Sequence, residues 1–163
     1  MELLTQRLKV ILLTREEVQE MISAMPERDR AQVSPEWLAL VRASTEGEPW
    51  TRAFRARHRD GGADIGSCSF KGPPVDGVVE VAYAVEPGQE GNGYATEMAQ
   101  VLVDHAFTYR EVCLVRAHTL PSGAASQRVL LKCGFQLVGE VEDPEDGTVC
   151  RFEKRAFGGF ASQ

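Results

Sequence analysis

The sequence predicts an α+β fold in which one mixed, mostly antiparallel sheet of seven strands carries helices on both faces. Strand-like and helix-like patterns alternate along the chain in the order β-α-α-β-β-β-α-β-α-β-β. A strand, a glycine-rich loop, a helix and a second strand stand at the centre of this order, which is typical of a βαβ unit with parallel strands. The other strands follow one another across short turns, which favours antiparallel hairpins.

The N-terminal part of the chain predicts one strand and two short helices. The strand is expected at residues 8–13, where apolar residues are frequent. Thr14 and Glu17 then have the spacing of a capping box, which starts the first helix. Ser34 followed by Pro35 predicts the start of the second helix, because a hydroxyl cap and a first-turn proline both favour that position.

The rest of the chain supplies the hairpins and the central unit. Residues 78–85 are apolar on both sides of the strand pattern, which predicts a central strand. Residues 95–106 carry a continuous apolar stripe at helical spacing. The remaining strands are predicted at residues 51–58, 64–70, 112–119, 135–141 and 148–154, and the remaining helix at residues 124–132.

Length and charge restrict the class of protein. The chain has 163 residues, so we expect a single domain over residues 1–157 and a flexible tail at 158–163. No run of about 18 apolar residues occurs, and no membrane association is expected. With a net charge of -6 and no long basic run, the chain is not expected to bind nucleic acid. An acidic surface suits a cationic partner better.

The four cysteines are scattered, and no CxxC pair occurs. Neither a metal site nor a disulfide framework is therefore expected. Cys68, Cys113 and Cys150 lie in strand-like runs, where a buried free thiol is the expected state. The N-terminus lacks the pattern of a secretory signal. These features predict a cytoplasmic protein, as a monomer or a homodimer.

The loop at residues 86–93 joins the central strand to the strongest helix. Gly91 and Gly93 would let backbone N–H groups come close to a ligand, and a helix N-terminus attracts anions. The spacing of Gly88 and Gly93 matches a nucleoside-triphosphate loop, but Tyr94 follows where that loop requires lysine. The loop alone leaves open a phosphate site of another kind and a tight turn that binds nothing.

Several segments together resemble the GNAT superfamily of N-acetyltransferases, and within it the RimJ/RimL-like branch. The run Glu90–Ala95 is similar to the superfamily's Q/R-x-x-G-x-G/A motif, and Gly93–Glu97 is similar to that branch. Leu120–Phe135 resembles the helix that follows the next strand, with its closing Gly-Phe. Thr5–Leu8 resembles the opening T-x-R-L strand. The resemblance spans nearly the whole chain.

The resemblance implies that acetyl-CoA is the acetyl donor. It implies a cofactor site formed by Tyr83, Ala84, Val85, Glu90, Gly91, Asn92, Gly93, Tyr94, Ala95, Thr96 and Gly123. Two positions depart from the family pattern. Glu90 stands where glutamine or arginine is usual, and Gly123 stands where this branch commonly has asparagine. We therefore expect weakened but not abolished binding.

The same resemblance implies acetyl transfer to a primary amine, on a protein N-terminus or a small molecule, by direct attack in a ternary complex. Glu80 is the candidate base, because it is a carboxylate in an otherwise apolar strand; the alternatives are a solvent-facing position or an ion pair. Ser126 is the candidate acid for the leaving thiolate, with a hydrogen bond to its own helix as the alternative. Of the histidines, His118 is the one expected to face the cleft. A structural or exposed position is the more frequent one for such a histidine.

Two other functions remain open from the sequence. The protein can be a non-catalytic acyl-CoA-binding or sensor module, or a nucleotide-binding protein. In the resembling family the acceptor is selected by residues equivalent to 14–47 and to the acidic turn at 142–147.

Overall fold

The structure, a computed structural model, describes residues 1–156 as eight strands and five helices. Their bounds are β1 (Glu2–Leu4), β2 (Leu8–Leu12), α1 (Arg15–Ser23), α2 (Glu27–Arg30), α3 (Pro35–Ala43), β3 (Phe54–His58), β4 (Asp64–Phe70), β5 (Val78–Val85), α4 (Tyr94–Ala106), β6 (Leu114–Thr119), α5 (Ala124–Lys132), β7 (Gln136–Asp143) and β8 (Gly147–Arg155). The tail predicted at residues 158–163 lies outside the described residues.

The strands form one sheet in the order β1-β2-β3-β4-β5-β6-β8-β7. Among the described strands, only the β5–β6 pair is parallel, and the other neighbours are antiparallel. The predicted mixed, mostly antiparallel sheet is therefore confirmed. It has one strand more than the seven predicted, because Glu2–Leu4 pairs with β2. Three residues are too few to show an alternating pattern in the sequence.

The predicted helix starts are present as hydrogen bonds. The Thr14 side chain accepts from the Glu17 backbone N–H at 3.0 Å, and Glu17 accepts from the Thr14 backbone N–H at 2.9 Å. Ser34 accepts from the Trp37 backbone N–H at 3.2 Å, which starts α3. The one-turn helix α2 lies between α1 and α3, and it was not predicted because four residues carry no periodicity.

Helices cover both faces of the sheet. On one face, α4 buries its apolar stripe in the main core against β2, β4 and β5. On the other face, α1 and α3 pack around Leu13 and Ala53. These two residues directly follow and precede core residues Leu12 and Phe54 in extended chain, so their side chains point to the opposite side.

The cysteine predictions are confirmed in part. Cys68 and Cys150 are buried free thiols, as expected, and Cys133 is buried as well. Cys113 is exposed, because it lies between the buried residues Val112 and Leu114 and its side chain points away from the core. Within residues 1–156, no helix has the length and apolar character needed to cross a bilayer. The same residues contain no cluster of three metal-ligating side chains.

A separation at the centre of the sheet positions the site. β5 and β6 pair only at Val78–Glu80 and Leu114–Arg116. Beyond Glu80, β5 continues paired with β4, while β6 continues paired with β8. The backbone edge of β5 from residue 81 to 85 therefore faces a gap.

Candidate functional site

A cleft of about 420 Å³ occupies this gap on the side of the sheet that carries α4 and α5. Its walls are the end of β5, the loop before α4, and one side of α5. It is lined by most of the predicted cofactor residues, namely Tyr83, Ala84, Val85, Glu90, Gly91, Gly93, Tyr94, Ala95 and Thr96, and by the candidate acid Ser126. An extended ligand placed there can pair with the free edge of β5 as an added strand does.

The loop between β5 and α4, which forms one wall of the cleft, has the properties of an anion site. Gly91 and Gly93 have φ values of 81° and 82°, in the left-handed region that favours glycine. Gly93 is the N-cap of α4, and no side chain from residues 1–156 caps that end. The first-turn N–H groups at Tyr94, Ala95 and Thr96 thus lack side-chain acceptors. Such groups, with the helix dipole, favour a bound phosphate.

Two predicted cofactor residues do not line the cleft. Asn92 turns its amide back to the loop, donating to the Gln89 carbonyl at 3.1 Å and the Glu90 carbonyl at 3.3 Å. Gly123 is the N-cap of α5, where an added Cβ would lie 3.1 Å from the Leu120 carbonyl oxygen. Asn92 therefore shapes the loop, while Gly123 allows the chain to turn into α5.

Two basic residues that were not predicted also line the cleft. Arg128 and Lys132 lie four positions apart on α5, so their side chains share one side of the helix. Neither forms an ion pair within the described part of the chain. Their charges oppose that of Glu90, which lines the same cleft. Their four-residue spacing on a predicted helix was the available signal.

A pair of hydroxyl groups lies in the wall of the cleft. The Tyr83 hydroxyl is 2.8 Å from Ser126 Oγ and 3.3 Å from the Ser126 carbonyl oxygen. Burial raises the pKa of Tyr83, the hydrogen bond with Ser126 lowers it, and the nearby Cys133 raises it; burial is the largest of these causes. Tyr83 was predicted as a cofactor residue, and the contact of its side chain with Ser126 is an addition from the structure.

The candidate base Glu80 lies on the opposite side of β5. Val79 and Val81 are buried in the core on the α4 side, and Tyr83 packs against it, so the alternating Glu80 points the other way. Its carboxylate is 2.8 Å from His118 Nδ1 and 3.4 Å from Lys71 Nζ. The structure therefore does not place Glu80 and Ser126 on one side of the sheet. They flank the gap between β5 and β6.

His118 connects Glu80 to a further cation. Arg151 Nε donates to His118 Nε2 at 3.1 Å. Because Nε2 then accepts, the ring proton of a neutral imidazole lies on Nδ1, where it is donated to Glu80. His118 therefore links the candidate base Glu80 to Arg151 through hydrogen bonds of its two ring nitrogens. Lys71 and Arg151 were not anticipated, since they come from distant parts of the chain.

A model of the acetyltransferase (GNAT) domain matches residues 5–136. The chain belongs to this family. Acetyl-CoA is the acetyl donor of GNAT enzymes, and the predicted family and donor are confirmed. The loop and cleft described above fit that ligand, because they offer N–H donors, two cations and a free strand edge.

Similar proteins of known sequence or structure agree with this assignment. Uncharacterized N-acetyltransferase p20 of Bacillus licheniformis is 30% identical over 82 residues, which are 50% of this chain and 46% of that protein. The match thus spans less than half the length of this relative.

Two solved structures share the GNAT fold of this chain. RimL, a ribosomal L7/L12 alpha-N-protein acetyltransferase in complex with coenzyme A, has a TM-score of 0.71 at 13% identity, covering 95% of this chain and 98% of its own. Aminoglycoside acetyltransferase AAC(6')-Ib, in complex with coenzyme A, has a TM-score of 0.67 at 20% identity, covering 96% and 98%. At these identities the likeness concerns the fold.

Proposed function

We propose that the protein transfers the acetyl group of acetyl-CoA to a primary amine by direct attack in a ternary complex. The observation that carries this proposal is the separation of β5 and β6 beyond Glu80. It joins an anion-binding loop and a hydroxyl pair on one side of the sheet to a carboxylate–imidazole pair on the other. A thioester lying in the gap would meet an amine arriving from the Glu80 side.

The cofactor would be held mainly by backbone groups. The N–H groups at the start of α4 would receive the diphosphate, and Arg128 and Lys132 would add positive charge. The free edge of β5 at Tyr83–Val85 would pair with the amide groups of the pantetheine arm. One of these backbone N–H groups would polarise the acetyl carbonyl.

The two sides of the gap would then handle protons separately. Glu80 would take one proton from the incoming ammonium, and the neutral amine that results would attack the acetyl carbon. As the carbon–sulfur bond breaks, the nitrogen would lose its second proton, and the sulfur would leave as the free thiol of coenzyme A. The departing thiolate would accept a hydrogen bond from Ser126, and Tyr83 is placed to donate to Ser126 in turn. Because burial raises the pKa of Tyr83, its hydroxyl keeps its proton at neutral pH.

The charge on the acceptor side suits a cationic amine. The turn between β7 and β8 carries Asp143, whose pKa is lowered by hydrogen bonds from the Asp146 and Glu145 backbone N–H groups. The charge of Lys71 lowers it further. The turn closes the β7–β8 hairpin, and β8 pairs with β6 at His118. An amine on a protein N-terminus or on a small molecule would approach through this acidic surface.

The test is release of free thiol from acetyl-CoA in the presence of a panel of amines and N-terminal peptides. Release with at least one acceptor, together with the acetylated product, is the expected result. Two observations favour a non-catalytic acyl-CoA-binding module as second candidate: Glu90 brings a negative charge to the cleft, and Gly123 has no side chain for the pantetheine arm. Stabilisation by acetyl-CoA without release for any acceptor would support that candidate.

A further inference from the structure

The turn between β1 and β2 is attached to the anion-binding loop through Arg7. Its Nη2 donates to the Asn92 carbonyl at 2.8 Å, and its Nε forms an ion pair with Glu97. Its guanidinium lies 4.5 Å from the centre of the Tyr94 ring. These contacts join residues about 90 positions apart, and none is needed to close the β1–β2 turn itself.

Glu97 is held from two directions. Its Oε1 accepts from the Thr5 hydroxyl at 2.6 Å and from the Arg7 backbone N–H at 3.1 Å. Burial raises the pKa of Glu97, but the hydrogen bonds from Thr5 and Arg7 and the charge of Arg7 outweigh burial and lower it. Glu97 is therefore ionised in the first turn of α4, next to the loop.

An unpaired carboxylate at that place would repel a diphosphate. Arg7 cancels this charge. Arg7 also orients the loop: because the peptide unit is planar and trans, an Asn92 carbonyl that points at Arg7 turns the Gly93 N–H away from Arg7. Gly93 lines the cleft, and its missing Cβ would lie 3.3 Å from Arg7 Nη2. Arg7 thus lies behind the loop, and the N–H group faces the other way.

We propose that Arg7 and Glu97 are a positioning pair that sets the affinity of the loop for the diphosphate of coenzyme A. This proposal rests on the proposed acetyl-CoA binding. The pair touches no reacting atom: Arg7 neutralises Glu97 and holds the Asn92 carbonyl, and the loop presents its N–H groups to the phosphates. The proposal also gives the T-x-R-L segment a physical role, since both its threonine and its arginine bind Glu97.

The experiment compares Arg7→Met, Glu97→Gln and the double variant. Dissociation constants are measured for coenzyme A by calorimetry and for pantetheine, which lacks the diphosphate, by NMR titration. Arg7→Met should weaken coenzyme A binding about 10- to 100-fold, the range for a lost charge-assisted contact. The double variant should bind coenzyme A about fivefold or more tightly than Arg7→Met, because no bare carboxylate remains. Pantetheine binding should be unchanged in every variant.

Arg57→Met is the matched control. Arg57 forms an ion pair with Asp64 on the surface of the neighbouring hairpin, and its loss should leave both dissociation constants unchanged. Circular dichroism melting shows whether each variant folds. If Arg7→Met unfolds, Glu97→Gln tests the pair in its place, because it keeps the size of the side chain.

Three results would overturn the positioning pair: coenzyme A binding unaffected in Arg7→Met, equal losses in Arg7→Met and the double variant, or a parallel loss of pantetheine. A wild-type protein that binds no coenzyme A would instead overturn the proposed function.

Discussion

The two sides of the gap between β5 and β6 are formed by different chemical groups. On the cofactor side, the proposed binding groups are backbone N–H groups of one loop, the start of α4 and one strand edge. On the acceptor side, they are long side chains that meet from separate strands: Glu80 on β5, His118 on β6 and Arg151 on β8, with Lys71 just after β4. A backbone site tolerates many side chains but few changes of conformation, whereas the reverse holds for the side-chain network.

The largest expected effect is on the backbone side. Gly93→Val should weaken coenzyme A binding at least about 1,000-fold, because a branched residue is strained at a φ of 82° and two or more charge-assisted contacts would be lost. Calorimetric titration with coenzyme A measures this loss.

Gly62→Val is the matched control for strain. Gly62 has a φ of 75°, lies in the β3–β4 turn and has open space around its missing Cβ. Both variants should lose a similar free energy of unfolding, about 1–3 kcal/mol. Only Gly93→Val should lose coenzyme A affinity, and a Gly93→Val protein that still binds it would contradict the assigned loop.

The next effect is on the acceptor side. Glu80→Gln should lower kcat/KM for the amine about 100-fold, the scale of a lost general base, while the dissociation constant of coenzyme A stays the same. The measurement is the initial rate of thiol release with the best acceptor, over a range of pH.

Glu153→Gln is its control, because Glu153 is also a carboxylate in an ion pair of the same sheet, with Arg116. That variant should keep its rate. If Glu80→Gln instead weakens coenzyme A binding and leaves the rate intact, the assignment of Glu80 to the acceptor side is wrong.

A smaller effect is expected from the hydroxyl pair in the wall of the cofactor cleft. Ser126→Ala should lower kcat about 10-fold and change the coenzyme A dissociation constant less than about threefold, since the hydroxyl acts on the developing thiolate. Tyr83→Phe should have a similar effect, and the double variant little more than either, because the two hydroxyls act through one contact at 2.8 Å.

Ser122→Ala, an exposed serine before α5, should leave both constants unchanged. Equal losses of kcat and of binding in Ser126→Ala would reduce that residue to a binding contact.

The smallest effect is a pH dependence of stability on the cofactor side. The pKa of Glu97 is lower in the folded chain than its ordinary value of 4.5. Its contribution to the free energy of unfolding is therefore fully present above pH 4.5 and is lost as the pH falls through the folded pKa. Urea unfolding of wild type and Glu97→Gln should show a constant difference from neutral pH down to about pH 5, and a shrinking one below. A difference that persists unchanged in strong acid would contradict the ion pair with Arg7.

Much of the fold was predictable because its signals are local. The capping box at Thr14, the serine–proline start of α3 and the apolar stripe of α4 each lie within a few residues. The prediction missed the short β1 and α2, and it took Cys113 for a buried strand residue. β1 is defined by its pairing with β2, and α2 is a single turn. The side of the chain that Cys113 shows to solvent is set by the packing of its neighbours, so a short stretch of sequence reveals none of the three.

The sequence by itself determined the proposed cofactor side, because Gly91, Gly93 and the first turn of α4 are neighbours in the chain and their backbone forms the proposed site. Only the tertiary structure decided what surrounds Glu80. His118 lies 38 positions from Glu80, and Arg151 a further 33 from His118. Strand register brings these side chains together, and register follows from the packing of the whole sheet. For the same reason the structure was needed to show that Arg7 lies behind the loop.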